Sequence, residues 1–400
     1  MARTIRTLLF STLYPSSARP LHGIFVETRL RELLHAGSVE TRVVAPVPWF
    51  HSTSPRYGRY AEIARTPASE LRNGIEVVHP KYLVIPKVGI NLAPLLLAVG
   101  ACAAISKIID DGFDFDVLDA HYYYPDGVAA ALLAKWFDKP VVITARGSDI
   151  NLISTLRVPR ALIRWAARNA SASIGVSAAL VERLRALEPR ADRVRVMRNG
   201  IDARRFCPMP MAAARAELGL VGSPVVLTVG ALYDFKGQRI VVEAFARLRR
   251  RYPNAQLIVI GDGPDRSAIN AQVTELELGE HVRLVGSVKN EDLSRWYSAA
   301  DVMVLASSRE GWPNVVLEAM ACGTPVVASS VGGVPEIIQT PRVGRLVVPR
   351  TAEAFEAAID EILDARPSRA GVRAYAEGFG WSQTSQDQLD LFRSVAAAVA

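Results

Sequence analysis

Two glutamates, Glu310 and Glu318, flank a stretch whose residue types suit the binding of an anion. A strand-like run ends at Ala306, and Pro313 suits the first position of a helix. The amides of Asn314, Val315 and Val316 are then expected to lack acceptors at a positive helix end, an arrangement that favours a diphosphate. Carboxylates beside an anion site make sense where they accept hydrogen bonds from hydroxyls, and a sugar or a ribose supplies those. Taken singly, Glu310 reads as an exposed loop residue and Glu318 as a solvated helix residue. The flanking Gly311 and Pro313, and the continuation through Gly323, Thr324 and Pro325, favour the site.

Other loops repeat the pattern of a strand followed by chemistry-bearing residues. Gly230 and Gly237 bound a turn in which Lys236 offers one cation to a diphosphate. Gly261-Asp262-Gly263-Pro264 lets a ligand approach the backbone, but Pro264 and a missing third glycine exclude a dinucleotide fingerprint. A nicotinamide dehydrogenase is therefore disfavoured. Gly23 lies between the first strand and its helix, His121 ends a strand, and Arg146 and Asp149 occupy the loop after the next one. A lone histidine at a strand end is more often structural than chemical. Arg160, Arg164 and Arg168 recur every four residues on one helix face, which reads either as a solvated stripe or as a contact for anionic lipid or a pyrophosphate-linked acceptor.

These loops need a scaffold. The 400 residues are half apolar and 22% charged, the balance of a folded chain of two domains. Strand-like runs at 4–10, 40–45, 75–79, 116–121, 140–144, 173–176 and 193–197 alternate with helical periods, and the scheme restarts at 224–230, 255–260, 282–286, 302–306, 325–328 and 344–348. That alternation predicts parallel sheets with right-handed crossovers in two α/β, doubly wound, Rossmann-like domains facing across a cleft. The Pro-, Met- and Ala-rich segment 206–222 reads as the break, giving domains 1–208 and 209–377. Ligands of such sheets bind where the strand order reverses, at the strands' C-terminal ends.

The charge is uneven: 28 Lys/Arg against 18 Asp/Glu in 1–208, and 19 against 22 thereafter. No basic run interleaves with aromatics, so nucleic acid is not expected as a partner. Cys102, Cys207 and Cys322 are far apart and form no pair, which excludes a disulfide scaffold and fits a reducing compartment. The apolar run 88–109 is long enough to span a bilayer but contains Asn91, Pro94 and Ser106, and is read as a buried or surface-docked helix. The short apolar run 7–13 is read as a strand rather than a signal peptide.

The spacing of Glu310 and Glu318 resembles the paired-glutamate signature of the retaining family 4 glycosyltransferases, and the likeness extends over nearly the whole chain. It implies the GT-B fold, with an N-terminal acceptor domain, a C-terminal nucleotide-sugar domain, and a final segment, 378–400, crossing back to the first. The resemblance makes Glu310 a ligand of the donor sugar and Glu318 of the ribose. It gives Lys236 the diphosphate, places Gly23, Gly230, Gly261, Gly263, Gly311, Asn314 and Val315 around the donor, and lines the base pocket with Val288. His121 matches a histidine set against the transferred sugar, so catalytic roles fall to His121, Glu310 and Lys236, with Arg146 or Asp149 facing the acceptor. One departure stands out: the arginine of the family's glycine–lysine loop is Ala231 here.

Asp114 and Asp116 have the spacing that holds a divalent metal in other glycosyltransferases, but they precede their strand, away from the cleft, and no metal or cofactor is expected. The co-substrate is a nucleotide-diphosphate sugar. Segments around Arg19-Pro20, Pro125-Asp126-Gly127 and Arg146 resemble the subgroup that builds teichuronic acid or exopolysaccharide, which implies a glycan or lipid-linked acceptor; the basic first half fits an anionic membrane surface or a phosphate-bearing substrate as a partner, and the unpaired cysteines a cytoplasmic location. Two rivals share the fold: a sugar-nucleotide 2-epimerase, and a non-catalytic nucleotide-sugar binder favoured by Ala231.

Overall fold

The computed structural model describes residues 3–85, 89–189 and 193–398. It divides the chain into two compact units, Met1–Arg198 with Ser382–Ala400, and Asn199–Trp381.

The first unit is built on strands β1 (Ile5–Phe10), β2 (Val39–Val44), β3 (Val47–Pro48), β4 (Ser69–Arg72), β5 (Ile75–Val78), β6 (Lys81–Tyr82), β7 (Val117–His121), β8 (Val141–Ala145), β9 (Ala172–Gly175) and β10 (Val194–Val196). Eight of them form one sheet in the order β10-β9-β8-β7-β1-β2-β5-β4, while β3 and β6 pair separately. Strands β7 and β8 are buried at every position, as central parallel strands covered on both faces require. Chain order reverses between β1 and β7. One edge departs from the all-parallel expectation: β4 runs antiparallel to β5. The tight turn Asn73-Gly74, both residues at positive φ, reverses the chain there.

The second unit holds β11 (Val225–Val229), β12 (Gln256–Ile260), β13 (Val282–Gly286), β14 (Val302–Leu305), β15 (Val326–Ser329) and β16 (Gly344–Val347). Their order, β13-β12-β11-β14-β15-β16, is that of a doubly wound Rossmann-like sheet, with its reversal between β11 and β14. All the pairs are parallel.

The second unit begins earlier than residue 209. Phe206 is buried in it, and Arg373 donates to the carbonyls of Ala203 and Phe206. Part of the supposed break is a helix, Met211–Leu218, because its alanines favour helix once Pro210 has set the entry. The return comes at Ser382 rather than 378. Within the helix Trp381–Ala397, Leu389, Phe392 and Val395 enter the core of the first unit beside Ile5, Val117, Val142 and Ile174. Burying Phe392 alone contributes about 1.5–3 kcal/mol.

Candidate active site

In the second unit, the loops that follow β11 and β14 flank the point where strand order reverses. Lys236 lies in the first and Glu310 in the second, and Lys236 Nζ donates to Glu310 Oε1 at 2.7 Å. Ser307 Oγ donates to the same oxygen at 2.6 Å. Gly237 makes this approach work: at φ 72°, a Cβ there would come within 2.2 Å of the Ala306 carbonyl. The Ser308 amide donates to Phe235 O at 2.7 Å, which ties the two loops together. Arg309 lies over the Phe235 ring at 4.1 Å and Lys236 over the same ring at 5.6 Å. Ala231 is exposed, and the amide of Leu232 donates to Asp262 O.

Glu318 is buried, not solvated, and accepts from the Tyr297 hydroxyl at 2.9 Å. Burial pushes its carboxyl up to about 7, against the pull of that hydroxyl and of the Arg205 charge. The helix Asn314–Ala321 starts as expected, but Pro313 is its extended N-cap rather than its first residue. The Val316 amide donates back to Pro313 O at 3.0 Å. Two of the three expected amides, Asn314 and Val315, therefore remain without an acceptor among the described residues. Asn314 Oδ1 accepts from Asn199 Nδ2 at 3.2 Å, a contact that the motif alone did not suggest. Gly261 backs onto the Gly230 carbonyl and Gly263 onto that of Leu232, which brings the ends of β11 and β12 together. Gly311 is buried behind Glu310, and Val288 lies half-buried after β13.

In the first unit, His121 ends β7 beside the reversal and is buried. Its Nε2 lies 3.0 Å from Asp119 Oδ2, and Arg146 donates to its Nδ1. The ring is thus the Nε2-protonated neutral form. Burial, with Arg146 reinforcing it against Asp119, lowers its basicity to about 4. Both nitrogens are occupied, so the ring has no free nitrogen from which to move a proton. Asp119 is steadied in turn by Gln388 Nε2 at 3.4 Å, and Gln388 Oε1 accepts from the buried Arg29 at 2.7 Å. Replacing Gln388 with Leu removes both bonds beside buried charges. The expected loss is about 2–3 kcal/mol of stability, read as a lowered urea midpoint.

Asp149 does not face an acceptor. It is fully buried and accepts from the amides of Tyr123, Arg146, Gly147 and Ile150, so its carboxylate shapes the loop. Gly23, at φ 64°, starts the helix Ile24–His35, and a Cβ there would overlap the Leu13 carbonyl. Asp126, also buried, accepts from the Thr12 amide and hydroxyl and so holds the other end of that loop. The arginine stripe is partly structural: Arg164 and Arg168 share the buried Glu188, at 3.8 and 2.9 Å. Arg160 remains exposed. Asp114 pairs with Lys139 and Asp116 with Arg3. Among the described residues, no three His, Cys, Asp or Glu gather as metal ligands.

Tyr297, Gln388 and Arg29 escaped sequence reasoning, as did the role of Asp126 towards Thr12, because their partners are distant in the chain. Ser307, three residues before Glu310, was open to detection as a local loop bond.

Comparison with known proteins adds the following. The family described as "Glycosyl transferases group 1" matches residues 211–379, and "Glycosyltransferase Family 4" matches 53–205. A Bacillus subtilis protein named for teichuronic acid biosynthesis as a glycosyltransferase is 30% identical over 361 residues, 89% of this chain and 88% of the relative. A D-inositol 3-phosphate glycosyltransferase of Catenulispora acidiphila is 32% identical over 304 residues, 70% and 72% of the two chains. Among solved structures, a sucrose-phosphate synthase of Thermosynechococcus elongatus superposes with TM-score 0.79 at 24% identity, over 99% of this chain and 100% of that one. Anabaena HepE in complex with UDP-glucose gives 0.73 at 20% identity, over 97% and 99%.

Proposed function

The chain belongs to the family 4 glycosyltransferases and has the GT-B fold, and from that premise we propose that it transfers a sugar from a nucleotide-diphosphate donor to an acceptor hydroxyl with retention at the anomeric carbon. One observation carries the reading. Within a single unit, a buried carboxyl, Glu318, and a lysine-paired one, Glu310, flank two open amides at a helix start.

In this reading Glu318 accepts from the ribose hydroxyls and Glu310 from those of the sugar, while Lys236 turns from Glu310 towards the diphosphate. The bond from the anomeric carbon to the diphosphate oxygen breaks, and the acceptor oxygen bonds to that carbon on the same face. The acceptor's proton passes to a phosphate oxygen of the leaving group. Lys236 and the amides of Asn314 and Val315 stabilise the charge that develops there. His121 orients the reacting sugar from the first unit.

The proposed acceptor is a lipid-linked or polysaccharide glycan, and the name of the Bacillus subtilis relative supports a role in cell-surface polysaccharide. The proposed location is cytoplasmic, where nucleotide sugars are made. Free Cys102, Cys207 and Cys322 suit it.

The test is a thermal-shift panel of UDP, GDP, ADP and their sugars, followed by transfer assays with the sugar that stabilises the fold. An α-linked product from an α-linked donor is expected. Product formed from donor alone instead indicates an epimerase, and tight binding without transfer a sensor. The reaction is proposed to need no metal. Chelation with EDTA is then expected to leave the initial rate within about twofold, whereas a metal that holds the diphosphate would supply several kcal/mol.

A further inference from the structure

We propose that the first unit rests on an anionic bilayer through the outward face of the helix Gly89–Asp110 and the segment before it. That helix has a mean hydropathy of 2.1 over its most apolar 18 residues, yet only 33% of that window is buried. A core helix this apolar is covered on all sides. Here Leu97, Ala98, Ala101, Ile105 and Ile108 face inward, while Leu92, Leu95 and Val99 are 44–59% exposed. The exposed positions recur at three- and four-residue steps and so share one face, which continues into Lys107 and Asp110. The helix does not span a membrane, because its opposite face is packed and the Tyr124 hydroxyl donates to the Ile90 carbonyl.

The neighbouring chain extends this face. Tyr82 packs against Gly100, and Val84 lies against Gly89 at the helix start. Leu83 and Val84, 59% and 52% exposed, therefore lie along the flank of the helix. Next to them Trp49, 55% exposed, donates its amide to Tyr82 O. Tyr60 stacks on Phe50 at 5.2 Å and is 58% exposed. Arg56 and Arg59 are exposed beside these rings, with Arg56 over Tyr57 at 4.7 Å.

Hydrocarbon-like side chains edged by tryptophan, tyrosine and arginine match the depth profile of a lipid interface with anionic headgroups. The cationic edge suits anionic headgroups, and a second copy of the chain as the occupant is distinguished by light scattering. The inference does not depend on the sugar-transfer reading, because flotation is measured without nucleotide or acceptor.

Flotation with phosphatidylglycerol-containing vesicles tests it. The intact protein is expected to float, and the triple variant Leu92→Ser, Leu95→Ser, Val99→Ser to lose at least about tenfold in bound fraction. The pair Arg56→Gln and Arg59→Gln is expected to weaken binding about tenfold on anionic vesicles and to leave neutral ones unaffected. The far-UV circular dichroism and melting temperature of the triple variant are expected to match those of the parent, which shows it folded. Failure of the parent to float, or equal flotation of the serine variant, overturns the proposal. So does a concentration-dependent dimer in light scattering that the serine variant lacks.

Discussion

Replacing Glu318 with Gln is expected to stabilise the empty protein at pH 8 while removing its response to nucleotide. The two effects have one origin. Burial raises the carboxyl to about 7 from an ordinary value of 4.5, so the folded protein holds a proton that the unfolded chain releases in that window. Stability of the parent therefore falls as pH rises between those values, by an amount on the order of 3 kcal/mol, and stays low above 7. Glutamine carries no charge to bury, so the variant's advantage is largest above pH 7 and vanishes below about pH 4.5. Tyr297 can still donate to the amide oxygen. Two ribose hydroxyls lose a charged acceptor, for an expected drop of about 100-fold in nucleotide affinity. In the parent, affinity is expected to weaken as pH falls through 7, and in the variant to be flat. Titration calorimetry at pH 6 and 8 reads this, and a variant that keeps the full thermal shift removes Glu318 from the site.

The second large effect is expected at Lys236. Its alanine variant is expected to lower kcat/KM for transfer by about 10²–10³, the usual loss when one preorganised donor to a developing anion is removed. Ala231 sharpens this, since the loop lacks the arginine that its family carries there. Affinity for the nucleoside diphosphate falls in the variant, whereas affinity for the bare nucleoside does not. Lys236→Arg is a poor rescue, because the ammonium sits at 2.7 Å from Glu310 and a planar guanidinium has a different reach. The double variant with Glu310→Gln is expected to be far less than additive, because each single change already breaks the same pair. A Lys236→Ala rate within tenfold of the parent would assign the phosphate charge elsewhere.

The sequence pattern showed the scaffold in some detail and the site unevenly. Strand β13 has the bounds that its apolar run predicts, and the helix Ala178–Leu187 starts at a capping serine, with Ser177 Oγ accepting from the Leu180 amide. These features are local, set by period and capping. β4 was missed because its alternation is weak and its partner lies across a turn. The burial of Glu318 was not legible either. Helical spacing gives a direction around the axis, and only Tyr297, brought in from another helix, shows that this direction is inward. The arginine stripe failed similarly. Its spacing was plain, but the Glu188 that occupies two of its members comes from the end of the following helix segment. Asp149 shows that an acid in a binding-type loop can serve its own backbone.

The final helix carries Phe392 and Gln388 into the first unit, and this bears on how the protein is made. A ribosome delivers 1–198 early, then all of the second unit, and only afterwards the segment that fills the remaining gap. The leading half thus waits with Ile5, Val117 and Ile174 uncovered until the helix Trp381–Ala397 has emerged, while the later half can already be finished. Such a chain is exposed to aggregation while the second unit is being made, and a chain cut before Trp381 would be stranded there.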